Sequence, residues 1–162
     1  MNSSFPPDAI GDRVRVEKCD LIIDCTGNDE VLYHLSSLDW DDEVLFFSAW
    51  MSLGARRLFC FTAKGTRFSN EAFRRLMSPW LAKDFEEHAQ EELPREGIGC
   101  WHPVFPARAD DVWMMAAVAV KQLERIVSSP PAKPELVVFE QCRNEEGMFS
   151  GIRKASVEVG DD

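Results

Sequence analysis

Three stretches in the first 65 residues are apolar almost without interruption, and the first and third end in residues that favour turns. The run Asp20-Leu21-Ile22-Ile23-Asp24-Cys25 passes directly into Thr26-Gly27-Asn28. A short aliphatic run closed by such a turn predicts a buried parallel strand. Residues 44–49 predict a second buried strand, and residues 57–62 a third, after which Lys64-Gly65-Thr66 turns the chain. Ahead of these, Val14 and Val16 alternate with Arg13 and Arg15, the pattern of a short half-exposed strand. Residues 1–12, broken by Pro6-Pro7 and Gly11, read as a tail.

Between the strands the apolar positions change to the helical period. Asn28 or Asp29 caps a predicted helix over 29–38, with Val31, Leu32, Leu35 and Leu38 on its inner face. Two short helices are expected at 69–77 and 79–91, separated by Pro79. Residues 94–109 hold three Pro and two Gly and read as an aromatic loop. From Asp110 to about 127 the pattern is helical again, and residues 112–120 are apolar on every face, which predicts a helix sandwiched between other elements. A Pro-rich connector over 128–134 leads to a terminal antiparallel pair, formed by 136–139 and 148–159 and joined across Asn144-Glu145-Glu146-Gly147. The class that follows is α/β: one domain over residues 13–162 with a mixed sheet, flanking helices and a terminal hairpin at 135–159.

Composition narrows the functions open to such a domain. The chain has 162 residues, 45% of them hydrophobic, with five Trp and eleven Phe to fill a core. Its net charge is −10, and the first 50 residues alone carry eleven acids against three bases. That balance opposes binding to phosphate backbones or anionic lipid, which needs clustered Lys and Arg, so nucleic acid and membrane are excluded as main partners. The five Cys, at 19, 25, 60, 100 and 142, form no CxxC pair, and the start Met-Asn-Ser-Ser-Phe-Pro-Pro has neither the basic nor the apolar region of a secretory leader. Reduced thiols in a cytoplasm are therefore expected, without a cysteine-built zinc site.

Two segments carry candidate chemistry. In open α/β sheets ligands bind beyond the carboxyl ends of parallel strands, where loops and helix N-termini converge. Asp24-Cys25-Thr26-Gly27-Asn28 occupies that place, with an acid suited to a ribose or a magnesium ion; the same residue types also make ordinary strand-to-helix turns. In Gly97-Ile98-Gly99-Cys100-Trp101-His102-Pro103, Cys100 has His102 two residues away and Arg108 nearby. Either cation lowers a thiol pKa and favours a nucleophilic thiolate. The loop reads equally as a rigid aromatic segment in which Cys100 is small filling. GxGxxG, GxxxxGK[ST] and GxSxG are all missing, so the chain carries no phosphate-cradling loop of the usual kind.

The run from Val16 through Asp24-Cys25-Thr26-Gly27-Asn28 resembles the middle strand and Asp-x-Thr-Asp-Asn-like turn of the ThiF/MoeB family of ubiquitin-activating-type adenylating enzymes. Residues 44–53 and 58–64 resemble the family's next two strands. Residues 97–103 and the Ala-rich helix ending Lys121-Gln122-Leu123-Glu124 resemble its late loop and last helix, so the likeness covers 14–127. It implies a partial Rossmann-like sheet, and the C-terminal part of an enzyme that uses ATP to adenylate the C-terminus of a ubiquitin-like or sulfur-carrier protein. On this likeness Asp24, Thr26, Gly27 and Asn28 face the nucleotide and Cys100 is an acceptor thiol. Gly27 stands where the family has the second acid that bears on magnesium, and the glycine-rich half that cradles phosphates has no counterpart here.

A parallel sheet without its first βαβ unit has an uncovered strand edge and flank. The chain is therefore expected to be inactive alone and to form a homodimer, to dock on a partner chain, or to be a fragment of a longer polypeptide. The alternative reading is an interaction module of degenerate Rossmann-like form that carries out no nucleotide chemistry.

Overall fold

The structure is a computed structural model and describes residues 18–88 and 107–156. Five strands form one sheet in the order β1 (Leu21–Asp24), β2 (Val44–Met51), β3 (Arg57–Gly65), β4 (Glu135–Arg143) and β5 (Phe149–Ala155). Helices α1 (Asp29–Ser37), α2 (Asn70–His88) and α3 (Ala109–Ser128) flank it. The expected α/β class, mixed sheet and terminal antiparallel pair are all present. Among the described residues, parallel pairing is confined to β1 and β2, in register Leu21↔Leu45 to Asp24↔Ser48, and every other pair is antiparallel.

Local chemistry accounts for the elements. The Asn28 side chain accepts the Glu30 N–H at 2.8 Å and caps α1, while Leu32 and Leu35 bury its inner face. Between β2 and β3 the chain turns through Leu53–Ala55, where Gly54 at φ 68° takes the left-handed conformation that glycine tolerates best. Ser52 fastens the link, its Oγ accepting the Arg57 N–H at 2.9 Å. In the β4–β5 turn the Asn144 side chain accepts the N–H groups of Glu146 and Met148.

The core lies on both faces of β2 and β3, because successive side chains of a strand point to opposite sides. Phe46, Phe59 and Phe61 face α1 and α2, where they meet Leu32, Phe68, Phe73, Met77 and Trp80. Leu45, Phe47, Leu58 and Cys60 face α3 and pack on Met115 and Ile126.

Two helical expectations are corrected. Residues 70–88 form a single helix that runs through Pro79. An interior proline removes a hydrogen bond and costs about 3 kcal/mol in isolation. Here Met77 and Trp80, buried on either side of it, and the ion pairs of Asp84 and Glu87 with Arg57 hold both halves against the sheet. The second correction concerns α3, which is covered on one side among the described residues: Met115, Gln122 and Ile126 are buried, whereas Trp113, Val120 and Val127 are exposed. The expected tail, the strand at Val14 and Val16, and the loop bearing Cys100 and His102 lie outside the described residues.

Candidate functional site at the end of the parallel strand

β1 ends on Asp24, whose carboxyl group is buried and fully engaged. Its Oδ1 accepts the Thr26 N–H at 3.0 Å and the Thr26 hydroxyl at 2.6 Å. Its Oδ2 accepts the Ser48 hydroxyl at 2.7 Å, across the parallel pair. Thr26 Oγ1 in turn accepts the Asn28 N–H at 3.2 Å, and Asn28 caps α1. Gly27 crosses at φ 58° above Trp50; a Cβ at this position would sit 3.4 Å from the Cβ of Trp50. The four predicted turn residues are thus brought together, but Asp24 and Asn28 spend their side-chain oxygens within the fold, on Thr26, on Ser48 of β2 and on the first turn of α1.

The electrostatics of this turn are acidic. The positive end of α1 is met by Asn28 and by Asp29 and Glu30 in its first turn. The two bases of β3, Arg57 and Lys64, do not gather here. Lys64 pairs with Glu43 at 2.8 Å near the start of β2, at the far end of the sheet. Arg57, only 4% exposed, points to the opposite side of β3 from Cys60's α3-facing neighbours, where it donates to Asp84, to Glu87 at 2.7 Å and to Glu140 at 2.8 Å. Burial works against its charge, but the three carboxylates hold its pKa above the ordinary arginine value. The Arg57 hydrogen bond keeps Glu87 below the usual carboxylate range. Burial pushes Glu140 upward, yet hydrogen bonds from Arg57 and Arg153 leave it lowered.

Beside the turn opens a cleft of about 600 Å³. Ile23, Cys25, Thr26 and Gly27 form one wall, Phe47, Ala49 and Met51 the floor, and Ala116, Ala119, Val120 and Leu123 of α3 the other wall. Sequence reasoning located the first wall and missed the last; the apolar stretch of α3 was the signal for it. Cys25 lies on this rim, its thiol pKa pushed up by burial and by the neighbouring Asp24. Burial, followed by the influence of Cys25, pushes Cys60 up to about 12. Neither environment favours a thiolate at neutral pH. Cys100, the predicted acceptor, lies outside the described residues.

No family model matches the sequence. One curated relative does. Over 131 residues the chain is 44% identical to the ATP-dependent ubiquitin transferase-like protein Cap2 of Enterobacter hormaechei subsp. hoffmannii (strain UCI 50). The match covers 78% of this chain and 21% of that relative, so the chain spans about a fifth of the length of the protein it resembles.

ATP, which the relative's name invokes, needs groups that meet a triphosphate's charge. Residues Asp24 to Glu30 include no cation and three acids, so the turn offers backbone and hydroxyl groups but no counter-charge. Among the described residues, no three His, Cys, Asp or Glu are grouped to hold a metal ion, and no helix is long and apolar enough to cross a membrane.

Proposed function

We propose that this chain is the C-terminal part of an ATP-dependent, ubiquitin-activating-type enzyme of ThiF-like kind. Its substrate would be the C-terminus of a ubiquitin-like or sulfur-carrier protein. The observation that carries the reading is the 44% identity to the ubiquitin transferase-like relative. The β1 turn opening onto a cleft at the end of a parallel pair supports it, since that is where open α/β sheets receive ligands. In this reading Thr26 and Gly27 line the nucleotide's side of the cleft, and Asp24 positions them through its bonds to Thr26 and Ser48. The phosphate-contacting cations come from the rest of a longer polypeptide or from a second chain, and the chain by itself does not catalyse adenylation.

Transplantation tests this. The 162 residues replace the matching stretch of the relative, and ATP–pyrophosphate exchange is measured with a ubiquitin-like carrier. The chimera is expected to exchange, and Asp24→Ala within it to exchange at least ten-fold more slowly. A folded chimera without exchange would overturn the reading.

That outcome would favour a module that binds a partner protein without nucleotide chemistry. One observation already speaks for this second reading: Asp24 and Asn28, the residues matched to the family's nucleotide turn, are committed to bonds within the fold.

A further inference from the structure

α3 has two flanks, and the cleft lies along one of them. At about 100° per residue, the buried Met115, Gln122 and Ile126 point to the sheet. The cleft residues Ala116, Val120 and Leu123 lie to one side of that line, and Met114, Val118 and Lys121 to the other. On this second side α3 runs alongside β4, and polar ties join the two at both ends. Near the start of the helix, Asp111 accepts the Gln141 side-chain N–H at 3.1 Å. Near its end, Arg125 donates to Glu135 at 3.2 Å. The helical and strand lengths between these ties agree, at about 20 Å each.

Between the ties lies a groove of about 430 Å³, with Phe139 on the strand side and Met114, Ala117, Val118 and Lys121 on the helix side. One polar group lining it is unsatisfied. Gln122 is only 5% exposed, and its Oε1 accepts the Arg125 Nε–H at 3.1 Å. Arginine can only donate, so this bond fixes the other end of the amide as the NH2. That Nε2 has no partner among the described residues. A buried donor without a partner is costly, and an acceptor oxygen relieves it. The charges nearby select the kind of oxygen. Lys121, Arg125 and Lys154 pair with Glu124 and Glu135, which leaves an excess of cation, and Lys154 stands beside Phe139 in the β4–β5 register.

We propose that this groove binds a small carboxylic acid with an unbranched apolar chain. Its carboxylate accepts from Gln122 Nε2, and its chain lies along Met114, Val118 and Phe139. The tied ends oppose a peptide that would have to run through. Nε2 is shut off from water, so the head group reaches it by displacing the Lys121 side chain, which is 77% exposed. The groove and the cleft are on opposite flanks of α3, so the proposal is independent of the nucleotide reading.

Octanoate titrated into the full chain, followed by methyl NMR, tests it. Saturable shifts centred on the Met114 and Val118 methyls are expected, with a dissociation constant of roughly 0.1–1 mM. Octylammonium, with the same chain and a cationic head, should bind at least about ten-fold more weakly. Gln122→Leu removes the donor at similar volume and is expected to weaken octanoate about ten-fold. Ala117→Trp fills the groove from an exposed position and should abolish the shifts; it serves if thermal melts show that the buried substitution does not fold. Phe85→Ala, exposed on α2, should change nothing. The proposal is overturned by no saturable shift up to about 10 mM, by shifts centred elsewhere, as on Ile23 and Val120 of the cleft, by equal affinity for octylammonium, or by binding indifferent to the folded groove variants.

Discussion

The two faces of the sheet are built differently. Toward α1 and α2, Trp40, Phe46, Phe59, Phe61, Phe68, Phe73 and Trp80 are buried together, many in edge-to-face contact with ring centroids 5.1–6.1 Å apart. Toward α3, Phe47 is the one ring among the buried residues of the cluster, the remainder being Leu45, Ala49, Leu58, Cys60, Met115 and Ile126. Among the described residues, large planar groups pack over the first face, while the second, with one ring under α3, keeps a cleft along β1. One sequence thus packs rings over one side of the sheet and leaves a cleft on the other.

The sharpest way to break this comparison is to empty the closed face. Phe61→Ala removes a ring held between Phe68 and Phe73 at 5.5 and 5.3 Å, and is expected to destabilise by about 4 kcal/mol in urea unfolding. Next in size is Arg57→Ala, expected at about 3 kcal/mol at neutral pH, since it strands three carboxylates around a buried site. The pH dependence has a definite sign. Glu87 and Glu140 are held below their ordinary values, so their contribution is complete above pH about 4.5 and is lost as the pH falls through their lowered folded values. Wild type should show that acid limb, and Arg57→Ala should flatten it; an undiminished limb would place its origin elsewhere.

Met115→Ala, the matching deletion on the α3 face, is expected to cost about 2 kcal/mol, below the Phe61 change. Equal losses would abolish the distinction between the faces. The smallest effect belongs to the open flank: Ile23→Ser should alter stability by less than about 0.5 kcal/mol in the isolated chain, because the side chain is half exposed.

Much of the closed face was legible in the sequence, because strand runs and helix caps are local. The aliphatic stretch at Leu21–Asp24, the Asn28 cap and the Asn144–Gly147 turn depend on neighbours in the chain, and each occurs where the pattern puts it. What required tertiary partners was not legible. Pro79 reads locally as a break, and only the packing of Met77 and Trp80 with the Arg57 ion pairs carries α2 past it. At the candidate site, residues 24–28 announce a turn, but Ser48 as the partner of Asp24 follows from strand register, and the α3 wall of the cleft comes from residues far along the chain. The dispersal of Arg57 and Lys64 has the same cause: seven positions apart on one strand, they serve opposite ends of the sheet.

The sheet order carries a consequence for the time course of assembly. β2 pairs with β3 across a tight link, and β4 with β5 across another, so each hairpin closes over a few residues. The β3–β4 seam that joins them spans residues 66–134, and closing so long a loop costs entropy before any contact repays it. Two fast local hairpins must therefore wait for one slow encounter. Until it occurs, the β3 edge that will receive β4 stands open as a template for any other extended chain, and the speed of that single closure sets how long the young protein is exposed to misassembly.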